Sequence, residues 1–319
     1  MYLYSNIIGT FVFNQNFQIR EKIFFSEKDI LKNNEQLILN EPTETEKMFM
    51  ERFKNIKNLR LEPEEKYLEK VNEVLHEFRE HYYNKNLLLT KLQIRNSVSN
   101  DLLIIQASST VQELGKTINL LTKRLREWYS FVLPEVENMI EDNISFADRI
   151  VKDDTEKLIK DFNIEVTMGA KFSKEDKESI VALAKTILEM NNQKEQKEIY
   201  LEKLMKLNCP NITEVAGYLT GAKLIALAGS LRNMILMPAS TIQLLGAEKA
   251  LFRHMITKAK SPKHGIIVEH PLLQRVGKQD KGKAARALAD KILLASKVDF
   301  FKGNFIGDRL KKDLDEKFK

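Results

Sequence analysis

The chain has 319 residues, 43% of them hydrophobic and 30% charged, with a net charge of +6, long enough for two or three domains that each bury a core. No run of about 18 apolar residues occurs, since the best candidate, residues 219–237, is broken by Lys223 and Arg232, which argues against a membrane span. The single cysteine, Cys209, excludes an internal disulfide and a cysteine-rich metal site; an N-terminus, MYLYSNIIG, without a signal-peptide pattern adds the expectation of a reducing, cytoplasmic location.

The first forty residues carry three strand-like runs, YSNIIGTFVFN, EKIFFS and EQLILN, bounded by Asn, Gln, Ser and Lys. A small mixed sheet is expected there. From Thr43 to about Ala107 the pattern is mainly helical and highly charged, so residues 1–108 read as one α+β domain. Heptads follow: Leu114, Ile118, Leu121, Leu125, Trp128 and Val132 are spaced 4, 3, 4, 3 and 4, a coiled-coil seam with Trp128 and Tyr129 in core packing. A second long helix is predicted from Ser173, where Ser173 and Asp176 form a capping pair. It carries Ile180, Leu183, Ile187 and Met190, then Leu201 and Leu204, with Lys194 and Lys197 at seam positions between them. Joined through residues 141–172, the two helices would form an antiparallel rod about 40–60 Å long at about 1.5 Å per residue. Whether such a seam pairs within one chain or between two copies stays open.

From Cys209 and Pro210 onward the chain reads as helical, with small-residue words such as AGSL and KAARALA that permit close helix packing, and an apolar end, FFKGNFI, folded onto the core. Residues 237–265 are predicted to hold one amphipathic helix from about Thr241. At about 100° per residue, Lys249, Arg253 and Lys260 share a face opposite a buried stripe of Leu244, Ala247, Leu251 and Met255. Ser240 or Thr241 can cap its start, and Pro262 with Gly265 breaks the chain beyond its end. Gln243 and Glu248 flank the ridge and could pair with RNA or with a bound protein; for Glu248 a salt bridge near Lys249 or Arg253 is the alternative. Lys278, Lys281, Lys283 and Arg286 form a second basic cluster around Gly277 and Gly282, where backbone N–H groups and cations can approach phosphate together.

Charge is thus concentrated. Residues 223–286 hold twelve Lys or Arg against Glu248, Glu269 and Asp280, a net of +9, which leaves the rest of the chain net acidic. Such a local cationic field points to a polyanion, with nucleic acid ahead of an acidic protein or a membrane surface. His264, beside Lys263 in the SPKHG loop, could stack on an unpaired base or donate to phosphate, or pack as a turn histidine. His254 projects off the ridge, and the spacings of 10 and 6 among His254, His264 and His270 fit no metal motif. There is no P-loop, dinucleotide glycine fingerprint, HExxH or GxSxG elbow, so no catalytic role is predicted.

The run PASTIQLLGAEKALFRH, followed by PKHGIIVEHP and KGKAARALADKI, resembles the Nop domain of box C/D ribonucleoprotein scaffold proteins, in an archaeal form. The likeness is densest over residues 211–307; upstream, REWYSFVLPEVE at 126–137 is similar to the family's Glu-Trp-Tyr with a following Pro-Glu. The resemblance implies a predominantly α-helical α+β protein in three parts: 1–108 binding fibrillarin, 109–208 a coiled coil that dimerises, and 209–319 a Nop domain. The last would bind a kink-turn guide RNA already held by a small ribosomal-type protein. It further implies a non-catalytic scaffold without a cofactor of its own, since fibrillarin carries the S-adenosylmethionine used to methylate ribose 2′-hydroxyls. RNA contact is carried over, where the words match, to Gln243, Lys249, Arg253, Lys260, Lys263, His264, Lys278, Lys283 and Arg286. Three other readings compete: a spliceosomal-type binder of a kink-turn ribonucleoprotein, separable by fibrillarin capture; an enzyme on nucleic acid; and a coiled-coil structural protein with generic polyanion affinity.

Overall fold

A tight two-residue turn joins the first two strands, β1 (Tyr2–Asn6) and β2 (Gly9–Phe13), in a computed structural model that describes residues 1–318. β3 (Ile19–Phe24) continues the antiparallel meander. The run EQLILN departs from expectation: it falls in a helix, α1 (Ile30–Ile38), and its end, where Ile38 and Leu39 are 72% and 60% exposed. A short apolar run carries too few residues to separate a strand from a helix by periodicity. α2 (Glu44–Arg52) starts on a capping box in which the Thr43 hydroxyl and the Glu46 carboxylate each accept the other's backbone N–H. β4 (Lys57–Asn58) then pairs in parallel with β1, giving a mixed sheet of order β3-β2-β1-β4. α3 (Glu65–Leu75) and α4 (Arg79–Asn96) follow, and this first compact unit covers Met1–Ser99.

The second unit begins at Asn100 with α5 (Asn100–Tyr129), a helix of 30 residues. After α6 (Pro134–Glu137), α7 (Asn143–Lys152) and α8 (Thr155–Asp161) comes α9 (Lys174–Asn208), whose 35 residues span roughly 50 Å. Its start carries the Ser173–Asp176 capping box read from the sequence. The two long helices run antiparallel, Asn100 Nδ2 donating to Asn208 Oδ1 at 2.7 Å while the Lys194 stem lies beside Gly115. Ile118, Leu125, Val132, Ile180 and Ile187 are buried in this pairing, with Leu114, Leu121, Trp128, Leu183 and Met190 half-buried at its margins. α7 lays Phe146, Ala147 and Ile150 into the same cluster, so the seam is covered by a third helix of the same chain. Between Ile187 and Leu201 no residue of α9 is buried, and Lys194 there pairs with Glu198 at 3.4 Å. The rod therefore joins two hydrophobic cores through a polar waist.

The second core gathers α10 (Pro210–Ala216), α11 (Tyr218–Ala228), α12 (Leu231–Leu236), α13 (Ala239–Leu244), α15 (Pro271–Arg275), α16 (Lys281–Phe300) and α17 (Gly307–Lys317), whereas α14 (Glu248–Thr257) contributes no residue to it. α16 is its axis: Ala284, Ala285, Leu288, Ala289, Ile292 and Ala295 are buried, and the alanines let neighbouring helices approach closely. Of the apolar end, Phe300 and Ile306 pack on this core, whereas Phe301 and Phe305 are 72% and 51% exposed. Among the described residues no helix is long and apolar enough to cross a membrane.

One buried carboxylate ties this core together. α10 has no side-chain cap of its own, and Asp299, at the far end of α16, supplies it by accepting the Asn211 and Ile212 N–H groups at 3.1 and 2.9 Å and Asn211 Nδ2 at 2.7 Å. Asn211 Oδ1 in turn accepts the Ile306 N–H. Asp299→Ala leaves three buried donors without a partner and is expected to cost about 2–4 kcal/mol in urea unfolding. Cys209 sits in the same core, its thiol pushed up to about 12 by burial, helped by the charges of Asp299 and Asp101, and so unreactive.

Candidate nucleic-acid interface

The basic segment folds as two helices instead of one. α13 ends at Leu244, Gly246 turns back through φ +83°, and α14 starts at Glu248. A side chain at Gly246 would be strained by that φ and would set its Cβ 2.3 Å from Ile266 Cγ2. Neither Ser240 nor Thr241 caps α13, because the helix already begins at Ala239 behind Pro238. Glu248 forms no bridge to Lys249 or Arg253; its carboxylate accepts the Gly246 N–H at 2.7 Å and fixes the corner.

α14 also ends sooner than the sequence suggested. Lys258 adopts φ +53°, so Lys260 lies in the loop beyond the helix, and only Lys249 and Arg253 form the ridge. The stripe opposite is not buried: Leu244, Ala247 and Leu251 are half-covered and Met255 is 68% exposed. No side chain of α14 is buried, and Phe252 and Ile256 are 61% and 81% exposed. On the helical wheel Phe252 and Ile256 lie next to Lys249 and Arg253. α14 therefore presents an apolar strip and a cationic ridge side by side.

The loop after α14 returns to α13. His254 Nδ1 contacts the Ala259 carbonyl, Gln243 Nε2 donates to the Lys263 carbonyl at 2.6 Å, and the Gly265 and Ile266 N–H groups donate to the Gln243 and Leu245 carbonyls at 2.7 and 2.8 Å. Lys263 Cδ then lies 3.8 Å from where a Cβ on Gly282 would stand, so the SPKHG loop and the second basic cluster meet. The N-cap of α16 at that junction is Asp280, whose carboxylate faces the positive end of the helix dipole. Among the described residues no carboxylate lies within ion-pair distance of Lys249, Arg253, Lys260, Lys263, Lys278 or Arg286. Lys283 differs, held by Asp280 at 3.1 Å. Lys283 and Arg286 line an open cleft of about 1000 Å³ together with Arg275 and Lys317, and Asp280, Asp290 and Asp315 offset most of that charge. Cations without a carboxylate partner are consequently gathered along Lys249, Arg253 and the 258–264 loop.

The histidines serve separately. His264 is half-buried in the loop, while His270 caps α15 by accepting the Leu272 N–H at 3.2 Å, and burial lowers its pKa. Among the described residues no group of three or more His, Cys, Asp or Glu is placed to hold a metal ion. The exposed surface missed by sequence reasoning is the pair Phe252 and Ile256, legible only as two apolar residues adjoining the ridge.

A helical unit that exposes unpaired cations beside an apolar strip has the composition of a module for binding a polyanion together with a protein. Residues 110–319 match the family model described as Nop: snoRNA binding domain, fibrillarin, and the chain belongs to this family. It is 38% identical over 258 residues to an uncharacterised NOP5 family protein of Methanocaldococcus jannaschii, covering 76% of this chain and 62% of that protein. It is 39% identical over 217 residues to nucleolar protein 58 and 37% identical over 223 residues to nucleolar protein 56 of Schizosaccharomyces pombe. These matches cover 62% and 63% of this chain and 42% and 45% of the fungal proteins, so the chain spans about two to three fifths of the curated relatives it matches. A chain from the crystal structure of a fibrillarin/Nop5p complex aligns over 99% of this chain and 98% of its own length, at 19% identity and a TM-score of 0.45.

Proposed function

We propose that this chain is a non-catalytic scaffold of a box C/D ribonucleoprotein, bridging fibrillarin to a kink-turn guide RNA with its bound small protein. In this reading residues 209–319 take the RNA and its protein, residues 109–208 associate with a second copy, and residues 1–108 hold fibrillarin. The observation that carries it is the surface of α14. Lys249 and Arg253, free of ion pairs, suit phosphate, and the adjoining Phe252, Met255 and Ile256 suit a protein surface. Membership of a family that joins snoRNA binding with fibrillarin supports the same assignment. Function then rests on positioning: tethering raises the effective concentration of the methyltransferase at its target and limits its orientation. S-adenosylmethionine would be bound by fibrillarin, and the cytoplasm would be the working compartment.

The test is a gel-shift titration of a box C/D RNA and of a kink-turn mutant, each with and without the small kink-turn protein. Tight binding only with the intact kink-turn and that protein supports the reading. Equal binding to every RNA, collapsing in salt, would leave a generic polyanion surface. The strip makes a separate prediction: Phe252→Ser with Ile256→Ser should weaken assembly about 10- to 100-fold when the small protein is present, and leave weak binding to naked RNA unchanged.

A further inference from the structure

Gln243 was expected to touch RNA, yet its side-chain amide is engaged on the Lys263 carbonyl at 2.6 Å. Its backbone carbonyl accepts the Gly265 N–H at 2.7 Å, and the next carbonyl but one, that of Leu245, accepts the Ile266 N–H at 2.8 Å. The approach is as close as a backbone allows: a Cβ on Gly265 would stand 1.8 Å from the Leu245 oxygen. Three hydrogen bonds thus clasp the far end of the 258–264 loop to α13. The near end is held by His254 on the Ala259 carbonyl. Between the two anchors lie Lys260, Lys263 and His264, the loop's charged and aromatic groups, each without a side-chain hydrogen bond of its own.

We infer that Gln243 is a positioning residue, whose amide holds the Lys263–His264 turn in its binding arrangement before any partner arrives; this rests on the RNA-binding reading proposed above. Of the three bonds, the two backbone ones survive any substitution at Gln243 that keeps the main chain in place. The side-chain bond alone acts on the Lys263 peptide, and so fixes where both the lysine stem and the following imidazole point. A loop ordered in advance gives up less conformational freedom on binding, which raises affinity without adding a contact.

Gln243→Met keeps the length of the side chain and removes its donor. Four chains are compared: wild type, Gln243→Met, Lys263→Ala with His264→Ala, and the triple variant. Each is read by amide hydrogen exchange across residues 263–266 and by affinity for the kink-turn RNA with its small protein. We expect Gln243→Met to speed exchange at these amides with an unchanged melting temperature, and to weaken binding about 5- to 10-fold, the loss of one net hydrogen bond. In the background lacking both loop side chains it should cause no further loss, since Gln243 acts through them. A full additional loss in that background would make Gln243 a direct RNA contact, and unchanged exchange would mean that its amide orders nothing; either overturns the inference. If the wild type ignores the kink-turn complex, the RNA-binding reading fails on its own. The same four chains titrated with poly(U) at low salt, alongside the exchange data, then decide the positioning role by the same pattern.

Discussion

Reversing Lys249 and Arg253 to glutamate together is expected to lower affinity for the kink-turn RNA and its protein by 100-fold or more, with fibrillarin capture unchanged. Each cation is exposed and free of carboxylates, so its charge is available to a phosphate. A charge-assisted hydrogen bond contributes about 1.5–3 kcal/mol, so losing two removes at least about 3 kcal/mol, and the new carboxylates add repulsion. Folding should be spared, because α14 buries no side chain and neither residue supports another. The melting temperature should therefore match the wild type, and a glutamate at 249, in the first turn of α14, suits the helix dipole. The measurement is a gel shift at two salt concentrations beside a fibrillarin pulldown. Loss of both activities at once would sink the division of labour, since the substitutions lie in the second unit and fibrillarin is assigned to residues 1–108.

Those two residues were legible in the sequence, whereas the shape of the surface that carries them was not. Lys249 and Arg253 are four apart inside a helical pattern, a relation fixed by local geometry. The break at Gly246 is different. QLLGAEK reads as an uninterrupted amphipathic stretch, a lone glycine costs a helix only about 1 kcal/mol, and what fixes its φ of +83° is Ile266, twenty residues downstream. For the same reason Lys260 was placed on the ridge and Met255 in a core. Periodicity identifies which residues share a face, but whether anything covers that face depends on distant elements, and none buries a side chain of α14.

The rod shows both outcomes in one element. Ile118, Leu125, Ile180 and Ile187 repeat at intervals set by helix geometry and are buried as their spacing requires. Their partner α7 is too short for a heptad repeat; Phe146, Ala147 and Ile150 share one helical face, but that this face covers the seam depends on the assembled fold. The polar ties are less visible still. Asp299 meets Asn211 across 88 residues, and Arg60 meets Glu46 across 14, because hydrogen-bond satisfaction of a buried group is a property of the assembled fold.

That last pair carries the second large effect: Glu46→Ala is expected to destabilise the first unit by about 3–5 kcal/mol, enough to unfold a small domain. Glu46 is fully buried and Arg60 nearly so, joined through Nη2 to Oε2 at 2.7 Å and Nε to Oε1 at 3.1 Å. Removing the carboxylate strands the guanidinium, frees the Thr43 N–H and Asn58 Nδ2, and breaks the capping box of α2. Arg60 would keep its bonds to Asn40 Oδ1 and the Glu41 carbonyl, but a buried cation without its counter-charge is the costly remainder. Burial pushes the Glu46 carboxyl up, yet the hydrogen bonds from Arg60, the Thr43 N–H and Asn58 outweigh it and hold the pKa below its ordinary value. A depressed carboxyl stabilises the fold above the unfolded pKa of about 4.3, and that contribution is lost as pH falls through the lower folded value. Wild type should therefore lose stability in acid through this group, while the alanine variant, already without it, should show a flatter profile over the same interval. Urea unfolding monitored at an amide of β2 reads both effects. A variant that unfolds with the wild-type midpoint at neutral pH would show that the network contributes nothing to holding the sheet. If it unfolds as expected, fibrillarin capture should disappear while the kink-turn complex still forms on the second unit, the reverse of the outcome for Lys249 and Arg253.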